Sequence, residues 1–137
     1  LLKNRDELAA IIAKENGKTL REAAGADVAP AADCFRYYAG WVRKIYGETI
    51  PVDGPYFNYT LREPVGVVGA IVPWNFPLQI AAWKVAPALA AGNTIVAKPS
   101  ELTPLSTLAL ASCFDHLPPG TVNLVAGASF PVALVKS

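Results

Sequence analysis

Two short clusters, residues 73–77 and 98–101, have the residue types and spacing of a chemical site. The first cluster reads PWNFP, so the carboxamide of Asn75 stands between two prolines and two aromatic side chains. Proline restricts its own backbone and that of the preceding residue, and aromatic rings can shield a turn from water. A fixed, neutral N–H donor is suited to stabilising negative charge on an oxygen atom. The residues alone leave an alternative open, in which Asn75 only satisfies backbone groups at a turn.

The second cluster, residues 98–101 (KPSE), places a cation and an anion three positions apart. Lys98 can donate to ribose or phosphate oxygens. Glu101 can accept from both ribose hydroxyls, as an acidic residue does in dinucleotide sites, and it would repel a 2′-phosphate, which favours NAD over NADP. The alternative is a surface ion pair that contributes little. Residues 64–114 contain only three charged side chains, and Lys98 and Glu101 are two of them, which favours a functional role.

The elements around these clusters alternate between strand and helix. The apolar run 65–72 predicts a strand buried on both faces. Helices and strands then follow at 78–91 (helix), 94–97 (strand), 103–114 (helix, with Thr103 as its cap and Pro104 at its first position) and 121–125 (strand). This βαβαβ order predicts an α/β fold containing half of a doubly wound, Rossmann-like parallel sheet. Such sheets bind ligands at the carboxyl ends of their strands, where both clusters fall.

The first half of the chain differs in pattern. Apolar spacing predicts helices at 4–16, ended by Gly17, and at 26–46, ended by Gly47. Alternating residues at 48–64 predict a half-exposed antiparallel ribbon. We therefore expect three parts, namely N-terminal helices (1–47), a ribbon (48–64) and a partial cofactor-binding α/β domain (65–137).

Composition excludes several classes of protein. The 137 residues are 53% hydrophobic and 17% charged, which is too apolar for disorder. The net charge is +1 and the basic residues are not clustered, so nothing suggests a nucleic-acid partner. No clean membrane span or signal peptide is present, so we expect a cytoplasmic protein. Two cysteines and one histidine give no metal spacing and no hydrolase triad. The chain has no Met, so we expect that the start of a parent chain is missing.

Several segments together resemble the NAD(P)-dependent aldehyde dehydrogenase superfamily. They cover nearly the whole chain and are residues 62–67 (REPVGV), 73–77 (PWNFP), 83–93 (WKVAPALAAGN), 98–101 (KPSE) and 117–123 (LPPGTVN). The resemblance implies an N-terminal portion of a cofactor-binding domain, with residues 48–64 in a ribbon that forms a homo-oligomer, either a dimer or a tetramer. The sequence departs from the family pattern after Gly127, at residues 128–134.

The resemblance also implies roles for individual residues. Asn75 would be the oxyanion-hole amide for an aldehyde substrate attacked by a Cys thiolate, with hydride passing to the nicotinamide and a Glu-activated water hydrolysing the thioester. The cofactor-binding residues would be Ile71, Val72, Pro73 and Trp74 beside the nicotinamide, and Lys98, Ser100 and Glu101 around the adenosine ribose. Neither Cys34 nor Cys113 has the family's nucleophile context. A second hypothesis is therefore a non-catalytic nucleotide-binding or assembly fragment.

Overall fold

The computed structural model describes residues 1–128. The predicted departure at 128–134 and the end of the predicted α/β part therefore lie almost wholly outside the described residues. The chain begins with a 3₁₀ turn at Leu2–Asn4 and helix α1 at Arg5–Asn16. Gly17 ends α1 as predicted: it has a left-handed backbone (φ 81°), and its N–H donates to the carbonyl of Ala13.

A second, continuous helical run follows almost immediately. Its parts are α2 (Leu20–Glu22), a π-helical segment (Ala23–Val28) and α3 (Ala29–Ala39). The prediction of one helix over 26–46 is wrong at both ends. The run begins early because Thr19 and Glu22 form a capping box. It ends before Gly40 because residues 39–47 are all exposed, and a helix without a packed face has little to stabilise it.

The ribbon consists of two short antiparallel strands, β1 (Thr49–Ile50) and β2 (Asn58–Tyr59). Its base is closed where the N–H of Glu48 donates to Thr60 Oγ1 (2.9 Å) and the N–H of Thr60 donates to the carbonyl of Glu48 (2.8 Å). The antiparallel pairing is as predicted. The expected half-burial is wrong for the described residues, because both faces are exposed throughout 48–64.

The parallel sheet has the predicted βαβαβ order. Its elements are β3 (Val67–Ile71), α4 (Pro77–Ala90), β4 (Thr94–Lys98), α5 (Leu105–Ala109), a 3₁₀ turn (Leu110–Phe114) and β5 (Val122–Leu124), with the strands in spatial order β3-β4-β5. Gly92, at φ 80°, turns the chain between α4 and β4 as a left-handed residue. Both strand pairs of this sheet are parallel, which confirms half of a doubly wound sheet.

The core lies on one face of the sheet. Alternate strand residues such as Ala70 and Ile95 pack against α4, and α1, the π-helical segment and α4 share a second cluster around Ile12 and Leu78. The prediction that β3 is buried on both faces is wrong. Val67 and Ile71 are 65% and 60% exposed, because none of the described elements covers the other face of the sheet.

Candidate active site

The two sequence clusters are neighbours at the carboxyl edge of the sheet. Ile71 pairs with Lys98 in the register of β3 and β4, and the N–H of Val72 donates to the carbonyl of Lys98 at 2.9 Å. The hydroxyl of Thr103 donates to the carbonyl of Trp74 at 3.4 Å. The structure therefore brings the turn after β3 beside the turn after β4, as parallel strands require.

Asn75 is exposed. Within residues 1–128 its side chain makes no hydrogen bond, and α4 begins without a side-chain cap. Its backbone carbonyl, by contrast, accepts a 2.7 Å hydrogen bond from Lys18 Nζ. The amide therefore does not serve to satisfy the local turn, which was the alternative that the residues left open. The backbone is held and the side-chain donors are available to a ligand.

The residues that precede Asn75 divide into two groups. Ile71, Pro73 and Trp74 are exposed at the sheet edge, with Trp74 56% exposed, so their side chains can contact a ligand. Val72 is 1% exposed and packs in the core cluster of α1 and α4. Any contact between Val72 and a cofactor therefore has to use its backbone.

Lys98 is buried, while the side chain of Glu101 is 58% exposed. Lys98 Nζ donates to the carbonyl of Pro99 at 2.8 Å and lies 3.5 Å from Glu101 Oε2. The pKa of the Glu101 carboxyl lies below its usual value, chiefly because its own backbone N–H donates to it and then because of the Lys98 cation. The Ser100 hydroxyl accepts from the N–H of Leu102 at 3.2 Å, so it first of all shapes this turn.

A buried ammonium and an exposed carboxylate at the end of one strand fit the hydroxyls of a ribose. An ammonium has three N–H donors, and the contacts with Pro99 and Glu101 involve two of them. A carboxylate can accept two hydroxyl donors at once. The residues present are therefore compatible with the sugar of a nucleotide cofactor.

Sequence reasoning missed the residues that hold these turns from the N-terminal helices. Asn16 Nδ2 donates to the carbonyl of Trp74 at 2.7 Å, next to the Lys18 contact with Asn75. Asp27, fully buried in the π-helical segment, accepts from Lys18 Nζ (2.9 Å) and from the N–H of Gln79 (2.7 Å). The only sequence signal was Gly17, which marks a turn but not what its neighbours contact.

Glu15 holds the second turn in a similar way. Its carboxylate accepts from the N–H groups of Leu105 (2.7 Å) and Ser106 (3.0 Å) and from the Ser106 hydroxyl. The prediction that Thr103 caps this helix is wrong, since its hydroxyl donates to Trp74 instead. The end of α1 thus contacts both turns of the candidate site.

A groove of about 660 Å³ lies between α3 and the first turns of α4. Its lining includes Gln79, one turn beyond Asn75, together with Cys34 and Trp83. The thiol of Cys34 donates to the carbonyl of Ala82 at 3.5 Å, and partial burial raises its pKa. A thiol in this state is a poor nucleophile near neutral pH.

Over residues 1–128, no group of three or more His, Cys, Asp and Glu side chains is placed to hold a metal ion. None of the helices there combines the length and the apolar character needed to cross a membrane.

Comparison with known proteins gives one consistent result. A sequence model of the aldehyde dehydrogenase family matches residues 1–136. The chain is 51% identical to "Aldehyde dehydrogenase family 2 member B4, mitochondrial" of Arabidopsis thaliana, with 91% of this chain and 24% of the relative aligned. It is 49% identical to human "Retinal dehydrogenase 2", again with 91% of this chain and 24% of the relative aligned.

Solved structures agree with this result. The fold superposes with a TM-score of 0.88 on the NAD⁺ complex of the aldehyde dehydrogenase from Bacillus cereus, at 51% identity, over 91% of this chain and 26% of the other. The NAD-dependent aldehyde dehydrogenase from Sinorhizobium meliloti gives a TM-score of 0.90 at 40% identity, over 98% of this chain and 27% of the other. The chain therefore spans about a quarter of the length of the relatives that it matches.

Proposed function

This chain belongs to the aldehyde dehydrogenase family, and we propose on that basis that it forms the cofactor-side portion of an enzyme that oxidises an aldehyde to a carboxylic acid with NAD. We call the longer protein that would carry this segment the parent enzyme. The observation that carries the proposal is the state of Asn75, whose carbonyl is held by Lys18 while its side-chain donors stay exposed at the carboxyl edge of the sheet.

Asn75 would stabilise the oxyanion that forms when a nucleophile adds to the aldehyde carbonyl. Its amide donates without carrying charge, and its backbone is fixed in advance, so little reorganisation is needed as negative charge develops. The nucleophile is not assigned to Cys34, because that thiol bonds to Ala82 and has a raised pKa.

Lys98 and Glu101 would hold the adenosine ribose, with Ser100 shaping the turn between them. Ile71, Pro73 and Trp74 would line the nicotinamide side, and Val72 would contribute backbone only. Bound NAD would supply the hydride acceptor. We propose NAD rather than NADP because the exposed Glu101 carboxylate would repel a 2′-phosphate, and this carboxyl stays ionised well below neutral pH.

The ribbon is the proposed contact with a second copy of the enzyme. Its residues are exposed on both faces and include large apolar side chains, among them Phe57, Tyr59 and Leu61. Apolar side chains on an exposed two-stranded ribbon are typical of a surface that another chain covers. A cytoplasmic location remains a prediction from the sequence.

The test of the catalytic role is Asn75→Ala in the parent enzyme. Losing one oxyanion donor should lower kcat by about 10²–10³-fold, whereas the affinity for NAD should change little because Lys98 and Glu101 are intact. Asn4→Ala, at another exposed asparagine, is the matched control and should leave kcat unchanged. A wild-type kcat in Asn75→Ala would refute the oxyanion assignment.

The alternative function, a non-catalytic nucleotide-binding or assembly fragment, is favoured by one observation. The thiol of Cys34 donates to the carbonyl of Ala82, and burial raises its pKa, so this thiol is not activated as a nucleophile. Mixing the isolated chain with NAD and an aldehyde, and following NADH absorbance, tests this alternative. We expect no turnover, and turnover well above background would exclude the alternative.

A further inference from the structure

Lys18 is held in one place by the residues on either side of it. Gly17 turns the chain out of α1 with a left-handed backbone. Thr19 then starts the next helix in a capping box, in which its hydroxyl accepts from the N–H of Glu22 and the Glu22 carboxylate accepts from Thr19. With both neighbours fixed, the side chain of Lys18 has a defined direction, toward the turn that follows β3.

The ammonium of Lys18 makes three contacts there. It donates to Asp27 Oδ2 (2.9 Å) and to the carbonyl of Asn75 (2.7 Å), and it lies 3.6 Å from the centre of the Phe76 ring. Carboxylate, carbonyl and aromatic face each attract a cation. The side chain of Lys18 is only 16% exposed, so these contacts replace most of its hydration.

Asp27 connects this cation to the helix that follows Asn75. Its second carboxylate oxygen accepts from the N–H of Gln79, in the first turn of α4. The ion pair therefore fixes the chain on both sides of Phe76, at the carbonyl of residue 75 and at the N–H of residue 79. Asn16 and Thr103 hold the preceding carbonyl, that of Trp74.

We propose that Lys18, paired with Asp27, is a positioning residue that sets the orientation of the Asn75 amide. The proposal rests on the oxyanion role proposed above. The ammonium does not touch the reacting oxygen. It holds the Asn75 carbonyl so that the side-chain donors project from a fixed backbone, and a displacement of about 1 Å at such a group can cost about 10²-fold in rate.

The test is a double-mutant cycle in the parent enzyme. The perturbation is the paired variant Lys18→Met with Asp27→Asn, which removes both charges together, so that neither is left buried and unpaired. It is made with Asn75 present and again in Asn75→Ala. Lys14→Met, at an exposed lysine on α1, is the matched control and should leave kcat unchanged in both backgrounds.

If Lys18 acts through Asn75, the paired variant lowers kcat about 10–100-fold when Asn75 is present, and less than about threefold in Asn75→Ala. Equal losses in the two backgrounds would show a merely structural role, and no loss with Asn75 present would also overturn the proposal. If Asn75→Ala itself keeps the wild-type kcat, the oxyanion assignment has failed. A loss in Asn75→Ala without a loss in the paired variant refutes only the positioning role.

The paired variant Lys18→Gln with Asp27→Asn repeats the comparison should the variant with Met at position 18 not fold. It also leaves no buried charge unpaired, and its neutral amide can still donate to the amide oxygen introduced at position 27, but it cannot hold both oxygens and the Phe76 ring as the ammonium does. The same outcomes apply, with a kcat loss confined to the Asn75 background supporting the proposal and equal losses overturning it.

Discussion

Breaking the Lys18–Asp27 pair from one side should destabilise the protein more than removing the whole pair. Asp27 is fully buried, and its carboxylate has two partners, Lys18 at 2.9 Å and the N–H of Gln79 at 2.7 Å. Lys18→Met leaves the carboxylate with one neutral donor, and removing one member of a buried pair costs about 3–5 kcal/mol.

The reverse single change should cost somewhat less. Asp27→Asn keeps an oxygen that accepts from the N–H of Gln79. The ammonium of Lys18, however, loses its carboxylate acceptor and faces either an amide N–H donor or no partner at that position. Lys18 is 16% exposed, so part of its charge can regain water, and we expect a loss of about 2–4 kcal/mol. The double variant has no orphaned charge, and Met can pack on the Phe76 ring, so it should lie within about 1–2 kcal/mol of wild type.

The assay is urea unfolding of the parent enzyme followed by tryptophan fluorescence, comparing the four midpoints. The expected order is wild type, then the double variant, then the two single variants. Lys14→Met, at an exposed lysine of α1, is the control and should have the same urea midpoint as the wild type. If the double variant has a urea midpoint at or below that of the less stable single variant, the result refutes the argument that the buried Asp27 carboxylate requires the Lys18 cation.

Three further predictions concern other parts of the chain. Glu101→Gln should weaken NAD affinity on the order of tenfold and reduce the preference for NAD over NADP, which titration with both cofactors measures. An unchanged ratio of the two affinities would contradict the assignment of Glu101 to the ribose. Gly47→Ala should disturb the assembly of the oligomer, measured by size-exclusion chromatography, because its Cβ would lie 2.8 Å from the carbonyl carbon of Thr60 and collide with that backbone. Gly25→Ala, with open space around it, is the control. If both variants elute at the same volume, the result contradicts the proposal that the ribbon contacts a second copy. Burial raises the pKa of the Cys34 thiol, so its thiolate fraction is below that of free cysteine at any pH. Its alkylation at pH 7.5, followed by mass spectrometry, should therefore be slower than that of free cysteine, and the rate should increase with pH. Equal rates for Cys34 and free cysteine would contradict a raised pKa.

Local patterns predicted most of the α/β half. The apolar runs before residues 73 and 98 predict strands with both clusters at their ends, and the register of Ile71 with Lys98 confirms this placement. Hydrophobic period and turn residues carry that information because strand and helix formation depend mainly on neighbours in sequence.

The predictions that failed concern surroundings rather than pattern. Val67 and Ile71 look like buried strand residues, yet one face of β3 is open in the described chain. Thr103 looks like a helix cap, but the helix is capped by Glu15, about ninety positions earlier in the chain. A cap, or a covering layer, supplied from a distant segment leaves no trace in the local sequence.

The amino-acid sequence by itself determined which groups stand at the candidate site: an amide between two prolines, and a cation and an anion three residues apart. These are covalent facts of spacing and residue type. Only the tertiary structure decided how they are held. Lys18 and Asn75 are 57 positions apart, and they meet because α1 and the π-helical segment pack against α4 around a shared core. Such a contact depends on the packing of whole elements, which no single stretch of sequence specifies.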